Sequence, residues 1–156
     1  MIKKIGIIVI LITMTLVSSA CTDKEMTRED EVRQYIKTGV DAAESRSAND
    51  LGELVHDLYL GQKGLGKPQL IKLLRLYFFR HKNIFLFTKI RDITFPSTNE
   101  ASVTLHVAMA GSVIADASVL SSLRARIYKF ELQLVKQENW LLQHATWQPA
   151  NSIDME

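Results

Sequence analysis

Residues 134–149 read "LVKQENWLLQHATWQP", two apolar-rich runs divided by Gln137-Glu138-Asn139. Asparagine tolerates a left-handed turn conformation, so this short polar link predicts the turn of a β-hairpin. The first run belongs to a longer one, Ile127 to Lys136. There Tyr128, Phe130, Leu132 and Leu134 alternate with Lys129, Glu131 and Gln133. The same period of two runs through Glu100 to Gly111, where Ala101, Val103, Leu105, Val107 and Met109 alternate with Ser102, Thr104, His106 and Ala108. Ile84 to Phe95 is rich in β-branched and aromatic residues, and Pro96 closes it. Four strands with one polar face predict a mainly antiparallel sheet covered on one side.

Upstream the period changes to that of helices. Thr27-Arg28-Glu29-Asp30 carries a capping threonine followed by acids, which oppose the helix dipole. Val32, Tyr35, Ile36, Val40 and Ala43 then recur at three- and four-residue steps, forming one apolar stripe. Ser45 to Ser47 break the pattern. Asn49 or Asp50 caps a short second helix carrying Leu51, Leu54, Val55 and Leu58, and Gly61, Gly64 and Gly66 end it. Pro68 fits the first turn of a third helix with a broad apolar face. Its run "LLRLYFFRH", Leu73 to His81, is apolar on too many sides for a surface stripe and reads as core. Three N-terminal helices packed on a four-stranded sheet make an α+β domain.

This order, and the closing hairpin of residues 134–149 with its two tryptophans, resembles the nuclear transport factor 2-like (cystatin-like) superfamily. The resemblance covers about Thr27 to Ala150, with Asn139 where glycine is usual. It implies a curved sheet wrapping a long helix into a cone. It also implies either an isomerase- or dehydratase-like site in the mouth of that cone, or a non-catalytic binding role. Ser112 to Arg126 fits less well, and either extends the flanking strands or forms a short amphipathic helical turn.

The chain begins as an export signal would. Lys3 and Lys4 precede an apolar run, Ile5 to Val17, then Ser18-Ser19-Ala20 and Cys21, the only cysteine among 156 residues. "VSSAC", Val17 to Cys21, resembles the lipobox of bacterial lipoproteins, with Ser18 where leucine is commonest. The expectation is a signal peptide over 1–20, acylation of Cys21 by palmitate-type chains, a tether over 21–26, a domain over 27–150 and a tail over 151–156. An uncleaved anchor and an unmodified terminal thiol are the alternatives. Thr22 in place of aspartate resembles the sorting pattern of outer-membrane lipoproteins facing the periplasm. Loss of residues 1–20 removes two lysines and leaves 17 basic against 17 acidic residues. Such a balanced, exported chain argues against nucleic-acid partners.

Ionisable residues at which the cone could do chemistry are few. His144 shares strand parity with Trp140 and Leu142, which aims it inward as a general base or as a core histidine. Asp92 lies on a strand beside Arg91. The resemblance to the ketosteroid isomerase branch would make it a base, given a buried tyrosine and a second acid. Tyr35, Tyr59, Tyr77 and Tyr128 are the tyrosines available, Tyr59 and Tyr128 among the candidate cavity residues. Adjacent His56 and Asp57 on a helix point about 100° apart and form no dyad. His106 lies on the polar strand face, and His81 reads as a solvated helix end. No metal-ligand spacing, phosphate loop or cofactor fingerprint is present.

Two functions follow from this reading. The first is a lipid-anchored, non-catalytic envelope protein, binding or scaffolding as a homodimer or as an accessory of an envelope or secretion assembly. The second is a cone that holds a small apolar ligand, for binding or for acid/base turnover, with an open cavity and an inward ionisable group.

Overall fold

The structure is a computed structural model that describes residues 26–155. The expectations for residues 1–20 and for Cys21 lie outside them. Helix α1, Arg28–Glu44, starts as its sequence demands: the Asp30 N–H donates to Thr27 Oγ1 at 3.1 Å, and the Thr27 N–H donates back to the Asp30 carboxylate at 3.1 Å. Two backbone donors at the helix start are thereby satisfied reciprocally. The α1 stripe places Val32 and Ile36 against Val103, Leu105, Leu134 and Trp140, the main hydrophobic cluster.

Helix α2, Ala48–Glu53, is shorter than its apolar spacing predicts, and its cap is Ser47, which accepts from the Asp50 N–H at 3.2 Å. Strand β1, Val55–Gly61, follows where helix was expected. Only Val55, Tyr59 and Gly61 are buried along it, so its alternation is poor, and its partner lies some 85 residues away in β5. Long-range backbone pairing overrides local propensity here. His56 and Asp57 therefore stand on a strand. Helix α3, Lys67–Arg80, has Pro68 in its first turn, as expected. Strands β2 (Phe85–Ser97), β3 (Glu100–Ala110), β4 (Arg126–Lys136) and β5 (Trp140–Pro149) complete the fold.

The sheet thus has five strands, not four, in the order β1-β5-β4-β3-β2, with β1 parallel to β5 and the other pairs antiparallel. Two helices, not three, precede the first strand, and α3 falls between β1 and β2. The expected β4–β5 hairpin is present. Its turn closes with the Gln137 N–H donating to the Asn139 carbonyl at 3.0 Å, and Asn139 is not among the residues with positive φ. Trp140 Nε1 donates to Glu31 at 2.9 Å, and Lys136 pairs with the same carboxylate, which ties the hairpin to α1.

All three helices lie on the inner face, where Val103, Leu105, Val107, Leu132 and Leu134 point. The outer face is covered by residues 112–125 and by a helical turn, Ser152–Met155. Residues 117–119 form a single 3-10 turn, and Leu120 after it is 1% exposed against Ala108 and Met155. No described helix is long and apolar enough to cross a membrane.

Candidate functional site

Between α1, α3 and the inner face of the sheet lies a cavity of about 450 Å³. Helix α1 contributes Tyr35, Ile36, Gly39, Val40 and Ala43, one i, i+3/i+4 stripe continuing past the residues that touch the core. Helix α3 contributes Leu70, Leu73, Leu74 and Tyr77, and the strands contribute Thr88, Leu105, Val107, Phe130, Leu132 and Trp147. The polar side-chain groups on this wall are the hydroxyls of Tyr35, Tyr77 and Thr88 and the Trp147 indole; no carboxylate, imidazole, ammonium or guanidinium lines it.

Tyr35 is the most perturbed of these groups. Its hydroxyl donates to the Leu54 carbonyl at 3.1 Å. Burial, and secondarily the neighbouring Tyr59, push its phenol well above the ordinary tyrosine range. Tyr35 therefore stays protonated and is no base at neutral pH. A cavity so lined can hold an apolar guest and offers it a hydroxyl but no proton acceptor.

Both acid/base candidates from the sequence stand on the other side of the sheet, and the reason is the same. In β5, His144 pairs with Gln133 while Leu142 pairs with the next β4 residue, Leu134, so Gln143 is an extra residue, a β-bulge. A one-residue insertion inverts the alternation beyond it. Leu142 faces inward, but His144 faces outward, and Ala145 and Trp147 take the inner positions. The His144 Nδ1 pairs with the Leu60 carbonyl of β1. In β2, Ile90 pairs with Leu105 and Asp92 with Thr104, so Arg91 is the extra residue. Asp92 lands on the outer face, exposed, where without the bulge it would share the side of Ile90.

The other candidates divide. Tyr59 is 4% exposed and packs with Val55 and Ala145 beside the cavity rather than on its wall; burial pushes its phenol upward. Tyr128 is on the inner face opposite Val107 and lies edge-on to Phe130 at 6.4 Å, beside these two wall residues but not on the wall itself. His106, expected on the polar face, is there but 8% exposed, and its Nδ1 accepts from Arg91 Nε at 3.4 Å. Burial lowers its pKa, Asp154 opposes that, and Arg91, Lys129 and Lys89 reinforce it. His81 stacks on Tyr77 at 4.1 Å and bonds the Tyr77 carbonyl. Among the described residues no group of histidines, cysteines or acids is arranged to hold a metal. Apart from the hydroxyls of Tyr35, Tyr77 and Thr88 and the Trp147 indole, the cavity wall is aliphatic and aromatic, Val40 for example, and left no motif to find.

The sequence matches no known family profile and no curated protein. Solved structures share its fold. A candidate scytalone dehydratase from Novosphingobium aromaticivorans is 14% identical with a TM-score of 0.65, over 79% of this chain and 84% of that one. A candidate dehydratase of the nuclear transport factor 2-like family from Streptomyces avermitilis is 16% identical, TM-score 0.61, over 79% and 97%. A ketosteroid isomerase-like protein from Erwinia carotovora atroseptica is 13% identical, TM-score 0.58, over 83% and 98%. At this level of identity the likeness shows the fold, which is nuclear transport factor 2-like.

Proposed function

We propose that the protein binds a small apolar molecule in the inner cavity and does not transform it. The observation that supports this reading is the cavity: about 450 Å³, within the range of small-molecule sites, with hydroxyls as its few polar groups. The dehydratase and isomerase names among the structural neighbours support a small-molecule ligand. Acid/base turnover would need a base that the wall lacks, because His144 and Asp92 lie on the outer side of the sheet. The setting we propose is the bacterial envelope, with Cys21 acylated; "VSSAC" at Val17 to Cys21 supports it.

Fluorescence titration with an apolar naphthylamine probe tests the binding. The wild-type chain is expected to bind it with micromolar affinity, and Val40→Trp, which puts an indole into the cavity, is expected to weaken binding by tenfold or more while the domain stays folded by circular dichroism. Equal binding by the two proteins would sink the proposal. Mass spectrometry of the N-terminus checks the anchor separately: Cys21→Ser should abolish an acylated mass.

A further inference from the structure

Helix α3 buries one side and leaves an unusual surface on the other. At 100° per residue, Leu70, Ile71, Leu74, Tyr77 and Phe78 share the side that packs inward. Leu73, Leu76 and Phe79 share the opposite arc with Lys72, Arg75 and Arg80, all six exposed. The three apolar side chains are 48%, 47% and 86% exposed. The arc alternates apolar and cationic residues, which is why the helix reads from sequence as apolar all round, and the reading of Leu73 to His81 as core holds for one side only.

Charge supplies the second observation. From Leu58 to Arg91 the chain has no aspartate or glutamate and eight lysines or arginines. Asp57 neutralises Lys67 at the start of α3, with a 2.8 Å ion pair. Among the described residues no salt bridge neutralises Lys72, Arg75, Arg80 or Lys82, although Arg75 also donates to Asn49 at 2.9 Å. At the end of α3, Arg124 and Arg126 share a depression of about 180 Å³ with Tyr77 and His81, adding two cations there. The exposed apolar arc thus carries cations and no acid on its own helix; the acids of the neighbouring helix α2 are Asp50 and Glu53, outnumbered by Lys72, Arg75, Arg80 and Lys82.

We propose that α3 docks on an anionic phospholipid surface. Leu73, Leu76 and Phe79 enter the headgroup–acyl boundary, and the long cationic side chains beside them reach lipid phosphates, as interfacial helices do. The positive field selects this occupant over a neutral apolar partner. Leu73 also lines the inner cavity, so the docked face adjoins the site proposed for the ligand. The docking itself does not depend on what that cavity holds.

The test uses the full chain with Cys21→Ser and Leu76→Cys, an environment-sensitive fluorophore on residue 76, and vesicles of phosphatidylethanolamine with phosphatidylglycerol. Because the probe sits on α3, it reports this helix however the N-terminus behaves. We expect a blue shift, quenching by brominated lipid, and neither change with phosphatidylcholine vesicles. The variant Lys72→Gln with Arg80→Gln and Lys82→Gln touches no core residue. It should raise the lipid concentration for half-maximal shift on the order of a hundredfold, at about fivefold per charge. No shift on anionic vesicles, or one that the charge variant leaves in place, overturns the proposal. So does a shift without vesicles that grows with protein concentration, which would assign the face to a second copy of this chain.

Discussion

On the outer face of the sheet, Ala108, Leu120 and Met155 are 0%, 1% and 2% exposed, closed over by a short connecting segment and the C-terminal turn. On the inner face the same strands, through Leu105, Val107 and Leu132, look into about 450 Å³ of open space. The chain fills the outer face with local pieces that can settle onto it side chain by side chain. The inner face is roofed by helices, α1 resting on β2 and β5 and α3 on β1, and the gap between them persists. Asp92, His106, Lys129 and His144 stand on the outer face, while the wall of the cavity carries no carboxylate, imidazole, ammonium or guanidinium. His106, Arg91 and Asp154 belong to an outer cluster in which Arg91 also bonds the Asp154 carbonyl and Lys89 donates to the Met155 carbonyl at 3.2 Å.

Inserting one alanine between Ala145 and Thr146 of β5 should break this division most severely. Residues past the insertion would change sides, so Trp147, which pairs with Phe130 on the inner face, would turn out while Thr146 turned in, and losing a tryptophan's packing costs about 3–5 kcal/mol. Urea unfolding is expected to show a domain largely unfolded in buffer; an unchanged midpoint would mean that strand parity does not set the faces. Next in size is Leu120→Ala, which opens a hole in the closed side and should cost about 3 kcal/mol by the same measurement. Val40→Trp, adding volume to the open side, should cost less than about 1.5 kcal/mol. A reversal of that order would erase the contrast between the faces.

The smallest effect concerns the ties that hold the hairpin to α1. The side-chain bond from Lys136, then that from Trp140, hold the Glu31 carboxyl below its ordinary value of 4.5. A carboxyl whose folded pKa is lowered adds stability above its unfolded pKa and loses it as pH falls through the folded value. Stability should therefore decline on acidification below about pH 4.5, and Glu31→Gln should flatten that decline. At higher pH the substitution should cost under about 1 kcal/mol, as for other partly exposed pairs. Thermal melts from pH 3 to pH 7 read both.

Much of the fold was legible in particular residues. Thr27 and Asp30 marked the start of α1, Pro68 the start of α3, and the alternation through Tyr128, Phe130, Leu132 and Leu134 marked β4 and its inner face. Strand β1 was not legible, because Leu51, Leu54, Val55 and Leu58 have helical spacing, and only the edge of β5 makes Val55 to Gly61 a strand. The site was less legible still. Its wall is ordinary apolar residues, identical in type to core, and nothing in their order says that they face a gap. The exposed side of α3 did leave one signal, the run from Leu58 to Arg91 without an acid.

Composition and periodicity by themselves determined helices α1 and α3 and the antiparallel strands β2 to β5, since apolar spacing and caps act over a few residues. Which way His144 and Asp92 face was decided only by the tertiary structure. A bulge is a mismatch in hydrogen bonding between two strands, and one strand's sequence does not contain it. The same holds for the cavity, which exists because α1 and α3 meet the sheet at separate places, a distance that no local stretch encodes.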